Sequence, residues 1–117
     1  MLKTIPELMS EIRQTIKTTS AKDAYEYALK EKCIFIDVRE PKEVADSPVK
    51  NSINLPRGIL EMNITNCTID ENHAIFLHCA TGGRASFAAE QLTRLGYTNV
   101  SAIICPHNDV CKAQKIS

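Results

Sequence analysis

The chain has 117 residues, 14 basic and 14 acidic side chains, a formal net charge of zero, and 44% hydrophobic and 24% charged residues. That is the balance of an ordinary globular protein, long enough for one core and too short for two. It gives no electrostatic case for a nucleic acid or an acidic membrane as partner.

No run is long and apolar enough to span a membrane. Residues 1–7 lack the apolar stretch of a signal peptide. The five cysteines, Cys33, Cys67, Cys79, Cys105 and Cys111, are odd in number and irregular in spacing. Without an export signal they read as reduced thiols, so the expected compartment is cytoplasmic. One domain over 1–117 is expected, with an N-terminal helix within 1–15 and a frayed tail over 112–117.

In chain order, Leu8, Met9, Ile12 and Ile16 space out a short amphipathic helix with Pro6 near its first turn. Residues 16–19 make a short strand. Ser20 then suits an N-cap, with Asp23 three positions on. Ala21, Ala24, Tyr25, Ala28 and Leu29 form the apolar stripe of the next helix. Residues 33–38 are an apolar run of strand type, buried on both faces. Pro41 opens a short helix that Asp46-Ser47-Pro48 breaks.

Residues 52–55 form another strand, ended by Pro56. Ile59, Leu60 and Met62 suggest one or two helical turns. Residues 63–72 read as a polar loop with Ile64 and Ile69 tucked inward. Residues 74–78 are the fourth strand. Ala85, Ala88, Leu92 and Leu95 mark a helix that Gly96 stops. Residues 100–104 are the last strand, ended by Pro106.

Strands alternating with helices imply an α/β fold, with a mostly parallel sheet of about five short strands flanked by helices on both faces. Ligands of such sheets sit outside the carboxyl ends of the strands. Asp37-Val38-Arg39, Cys79 to Arg84 and Cys105-Pro106-His107 all lie at strand carboxyl ends, so a parallel sheet brings them to one rim.

The segment Cys79-Ala80-Thr81-Gly82-Gly83-Arg84 carries the chemistry. A cysteine between a buried strand and a helix N-terminus meets loop N–H groups and the positive end of the helix dipole, both of which favour an anionic sulfur. Gly82 and Gly83 permit close backbone approach. Arg84 is the one charged side chain of the loop and the best candidate to orient an anionic substrate through bidentate bonds.

Other residues carry milder readings. His78 sits beside Cys79 and reads as a structural imidazole bonded to backbone rather than a general base. Asp37 reads as part of an internal ion pair or network bracing the loop, with Glu43 a further member. Arg39 is balanced between that role and the rim. Cys105, His107 and Cys111 offer three nearby metal-type ligands, one fewer than a structural zinc site usually has, so no metal is assigned. Cys105 is also weighed as a thiol resolving Cys79 in a disulfide, against its being an ordinary reduced cysteine.

Taken together, the motifs resemble the rhodanese (sulfurtransferase) family. Ile36-Asp37-Val38-Arg39-Glu40-Pro41-x-Glu43 is similar to its first box. Ile53-Asn54-Leu55-Pro56 is similar to its second. Cys79 to Ala85 resembles its C-x-x-G-x-R-[SA] loop, and residues 95–100 resemble its L-G-[FY]-x-N-V turn. The match runs over 16–104. In place of the glycine before the second box stands Asn51, which can supply a left-handed turn. In place of the family's G-G-x-x-x-W ending stands Cys105-Pro106-His107-Asn108-Asp109-Val110-Cys111.

The resemblance implies transfer of sulfane sulfur through a Cys79 persulfide, held by Ala80, Thr81, Gly82, Gly83 and Arg84, with no metal or organic cofactor. The implied partners are a small anionic sulfur donor and a thiol acceptor, or a protein persulfide. A non-catalytic module of the same fold is the alternative. A cysteine phosphatase or arsenate reductase ranks low, because the loop is C-x4-R and phosphate chemistry goes with C-x5-R.

Overall fold

A computed structural model describes residues 1–116 of the chain. The elements run α1 (Ile5–Arg13), β1 (Lys17–Thr19), α2 (Ala21–Ala28), β2 (Cys33–Asp37), α3 (Pro41–Asp46), β3 (Ser52–Asn54), α4 (Leu60–Asn63), β4 (Ala74–His78), α5 (Gly83–Leu95), β5 (Val100–Ile103) and α6 (His107–Ile116). Short 3-10 turns, Arg57–Ile59 and Ile64–Asn66, flank α4.

Local chemistry sets the helix starts. Thr4 Oγ1 accepts from the Glu7 N–H at 3.2 Å, and Ser20 Oγ accepts from the Asp23 N–H at 3.1 Å, each satisfying a donor of the first turn. At α3 the Glu40 N–H donates to Glu43 Oε1 at 2.9 Å. Two left-handed glycines bracket α5, Gly82 with φ 97° and Gly96 with φ 116°. Asn51 takes φ 64° and supplies the left-handed turn ahead of β3.

The five strands form one sheet in the order β1-β5-β4-β2-β3, every pairing parallel. The central strand β4 is buried along its whole length. Successive side chains of a strand point to opposite faces, and this sorts the core into two clusters. Ile36, Val38, Ile75, Leu77, Cys79, Val100 and Ala102 pack on one face with Leu60 of α4 and with Ala85, Ala88 and Leu92 of α5. Phe35, Phe76 and Ile103 pack on the other with Ala21, Ala24 and Tyr25 of α2 and Val110 of α6. The Tyr25 and Phe35 rings stack with centroids 4.3 Å apart.

The α/β architecture and parallel sheet agree with the sequence reading. Several details differ. Residues 60–66 are helical turns, so the expected 63–72 loop begins only after them. Ile64 is buried as expected, but Ile69 is 86% exposed, because the chain has left the α4 turns and runs over the surface. Leu29 is 68% exposed: it caps α2 as the helix ends, beyond the face that packs on the sheet. Residues 112–116, expected as a frayed tail, continue α6, which Val110 anchors in the core; residue 117 lies outside the described residues. Among the described residues no helix is long and apolar enough to cross a membrane.

Candidate active site

Cys79 follows the last residue of β4, and its side chain falls on the α5 face of the sheet. It is 1% exposed. The chain then turns through Ala80, Thr81 and Gly82 and enters α5. This brings the Gly82 N–H to Cys79 Sγ at 3.0 Å and the Ala85 N–H to the same sulfur at 3.4 Å. Both donors and the positive end of α5 therefore face one soft atom.

Gly82 is required twice over. Its φ is one that side-chain-bearing residues rarely adopt. A Cβ there would also lie 2.9 Å from the Ile104 Cα, inside any tolerable contact. Its carbonyl accepts from the Ser86 N–H at 3.0 Å and the Ser86 hydroxyl at 2.7 Å. The His107 N–H donates to the Ala80 carbonyl at 2.9 Å, so the start of α6 holds the other side of the loop.

Arg84, at the first turn of α5, does not project freely. Its Nη1 and Nη2 donate to the two carboxylate oxygens of Glu43, at 2.6 and 3.0 Å. The hydrogen bonds from Arg84, with that from the Glu40 N–H, pull the Glu43 carboxyl down to about 2. The guanidinium edge expected to grip an anionic substrate is thus engaged by α3. Glu43 was expected in the Asp37–Arg39 network; its carboxylate serves Arg84 instead, and only its backbone carbonyl receives Arg39 Nη1, at 3.3 Å.

The other expected rim residues lie at the same end of the sheet but on its opposite face. Asp37 and Arg39 form a buried ion pair with side chains 2% and 4% exposed. Arg39 Nη2 donates to Asp37 Oδ2 at 2.7 Å and to the Ser47 carbonyl at 2.8 Å, and Nε reaches Asp37 Oδ1 at 3.0 Å. Asn54 Nδ2 ties the Asp37 and Arg39 carbonyls together, at 2.9 Å each. This pair braces the end of α3 and does not face Cys79.

His78 is fully buried and bonds through Nε2 to Ser52 Oγ at 2.7 Å, a side-chain partner where a backbone one was expected. Burial pushes its imidazole down to about 4, so it is neutral at pH 7. Its Nδ1, 3.9 Å from Asp37 Oδ1, makes no ion pair there. His107 Nε2 sits 2.9 Å from Ser47 Oγ and 3.3 Å from Cys111 Sγ, and burial together with nearby Arg39 lowers its pKa.

Cys105 makes no hydrogen bond to His107 among those the structure shows, and it packs beside Cys111 against one cluster. Its Sγ accepts from the Ala21 N–H at 3.4 Å and packs against the α2–α6 cluster. Cys79 and Cys105 therefore belong to opposite faces, which leaves no place for the weighed disulfide. Cys105, His107 and Cys111 do not converge as a trio.

Residues 20–104 match the model of the rhodanese-like domain, nearly three quarters of the chain. The chain belongs to the rhodanese-like domain family. It is similar to the thiosulfate sulfurtransferase PspE of Escherichia coli (strain K12), 32% identical over 66 residues that make up 56% of this chain and 64% of that protein. The chain spans 55% to 64% of the curated relatives it matches. Its structure is similar to that of RPA3614 from Rhodopseudomonas palustris CGA009, a protein of unknown function whose name carries the suggestion of a tyrosine phosphatase. The TM-score is 0.82 at 22% identity, covering 97% of this chain and 92% of that one. It is also similar to the polysulfide-sulfur transferase homodimer from Wolinella succinogenes, with TM-score 0.76 at 24% identity over 91% and 80% of the two chains. At these identities the structural likeness speaks for the fold.

Within this rhodanese-like frame, sequence reading missed three serine contacts: Ser86 with the Gly82 carbonyl beside Cys79, and Ser47 and Ser52 with His107 and His78 on the opposite face. A lone serine carries no signal of its own. Only the strand register that sets Ser52 opposite Phe35, and the helical step from Gly82 to Ser86, bring them into place.

Proposed function

We propose that the chain is a sulfurtransferase whose nucleophile is Cys79. The observation that carries the reading is the pair of N–H donors, from Gly82 and Ala85, converging on Cys79 Sγ at the start of α5. In the proposed cycle the Cys79 thiolate attacks the outer sulfur of thiosulfate. The S–S bond of the donor breaks, sulfite leaves with the electron pair, and Cys79 carries a persulfide. Cyanide or a thiolate acceptor then takes the outer sulfur, and the Cys79 thiolate is regenerated. No net oxidant or reductant enters the donor step, and no metal or organic cofactor is required.

The same N–H groups that meet Sγ are suited to stabilise negative charge on the terminal sulfur. Ala80, Thr81, Gly82, Gly83 and Arg84 form the proposed substrate loop. Arg84, held by Glu43, contributes a fixed positive charge beside the loop rather than a free clamp. Thr81 is exposed and Ala80 half-buried in the loop that follows Cys79, and a protein persulfide is a second donor of the same chemistry. An odd set of free thiols supports a reducing compartment, the cytoplasm.

The test is intact mass before and after thiosulfate, with Cys79→Ser and Cys105→Ser alongside. The expected result is a gain of one sulfur atom in the wild type and in Cys105→Ser, removable by cyanide and absent from Cys79→Ser. No gain from either thiosulfate or polysulfide would leave the fold as a binding module.

A further inference from the structure

α1 lies before the residues that match the family model, and it packs along α5. Two of its side chains reach the glycines of the Cys79 loop. Met9 Cε is 3.6 Å from where a Cβ on Gly83 would stand, and Arg13 Nη2 is 3.3 Å from where one on Gly82 would stand. Arg13 is half-buried, and its Nε–H donates to Ser86 Oγ at 3.2 Å. Ser86 is fully buried and spends its one hydroxyl proton on the Gly82 carbonyl, at 2.7 Å. The N–H of that same Gly82 meets Cys79 Sγ at 3.0 Å.

We propose that Arg13 is a positioning residue for the sulfur site: through Ser86 it fixes the left-handed Gly82, and with it the N–H that faces Cys79 Sγ. This rests on the sulfur-transfer reading for its place in a reaction, but not for its geometry. A hydroxyl that donates to a carbonyl still has lone pairs to offer. A charged donor on those lone pairs polarises the O–H and strengthens its bond onward. Gly82 is the residue for which such an anchor matters. Without a side chain it has access to many backbone conformations, and only one of them aims its N–H at the sulfur. The chain Arg13–Ser86–Gly82–Cys79 thus runs from a helix outside the matched residues to the reacting atom.

A merely structural Arg13 and a positioning one predict opposite signs. Loosening a site in which Cys79 is 1% exposed speeds its alkylation. Loss of an aligned N–H slows it. The experiment compares full-length wild type, Arg13→Ala, Arg13→Lys and Ser86→Ala. It reads Cys79 alkylation by iodoacetamide at pH 7, with Cys105 of the same molecule as control, and single-turnover sulfur loading against thiosulfate concentration.

The expected result for Arg13→Ala is about fivefold slower alkylation at Cys79, equivalent to about 1 kcal/mol, with Cys105 unchanged. The maximal loading rate should fall by a similar factor while the half-saturating thiosulfate concentration holds. Arg13→Lys, whose ammonium can donate the same bond, should recover part of the loss. Unchanged or faster Cys79 alkylation in folded Arg13→Ala overturns the proposal. If Arg13→Ala does not fold, by far-UV circular dichroism, the same signs are read from Arg13→Lys and Ser86→Ala. A wild type that loads no sulfur sinks the sulfur-transfer reading alone, and the alkylation ratio still decides Arg13.

Discussion

Two groups of polar atoms share one end of the sheet and behave in opposite ways. On the α5 face, two N–H donors converge on a single sulfur atom, Cys79 Sγ. On the α2–α6 face, Asp37 and Arg39 cancel each other, and their remaining bonds go to the carbonyls at the end of α3. The first arrangement gathers donors on one atom. The second has already consumed its charges in holding the fold. His78 and Cys79 are neighbours in the chain, yet strand alternation sends one to each group. The comparison teaches that position at the rim does not decide what a residue meets; the face it points to does.

The largest break in that comparison comes from the buried pair. Asp37→Asn leaves the Arg39 guanidinium buried beside a neutral partner. A loss of about 3–5 kcal/mol of unfolding free energy is expected in a denaturant titration. Whatever fraction remains folded should alkylate Cys79 at the wild-type rate. A much altered Cys79 rate would mean that the two faces are coupled.

Acid should find the same face next. His78 is held near 4 in the folded state against about 6.5 unfolded. The unfolded chain therefore takes up its proton first. The contribution of His78 is complete above pH 6.5 and declines as pH falls from there through 4, by a total on the order of 3 kcal/mol. His78→Gln should flatten that slope. A slope that survives the substitution places its origin elsewhere.

On the Cys79 face, Gly82→Ala adds both a left-handed penalty and a clash with Ile104, about 2 kcal/mol or more. It should also slow sulfur loading. Gly96→Ala shares the positive φ but meets nothing within 4 Å, so it should cost about 1 kcal/mol and leave loading alone. Equal loading rates in the two variants would deny Gly82 its role at the sulfur.

The smallest effect belongs to Glu43→Gln. Its partner Arg84 and its own side chain are about one-third exposed, which holds the stability change below about 1 kcal/mol. What stability it does give is present above pH 4.5 and fades as pH falls toward 2. Loading kinetics with thiosulfate should respond more than stability does, because the variant frees Arg84.

Much of this was legible in the chain. Apolar runs such as Ala74-Ile75-Phe76-Leu77, the N-cap Ser20 and the stop at Gly96 locate elements through local physics alone. The shared rim followed from parallel alternation. What did not follow was which residues meet across it. Glu43 reads from the sequence as a member of the Asp37–Arg39 network, yet its carboxylate meets Arg84, because the outcome depends on how α3 leans after Pro41. Cys105 reads as a rim thiol until the parity of β5 is carried forward from Ile103, which puts it against Ala21. The support from Arg13 was invisible because it links residues 73 apart, and no pattern within α1 announces it.

The pairing of β1 with β5 has a consequence in time rather than space. Lys17 lies in register with Ser101, so β1 finds its partner only once the residues between them have been made. Local contacts can form α5 and the β4 turn well before that, whereas so distant a pairing must overcome a long loop closure. On a growing chain, then, the Cys79 loop can take shape before the sheet has closed, and the last of its pairings to form is the one between the strands farthest apart in sequence.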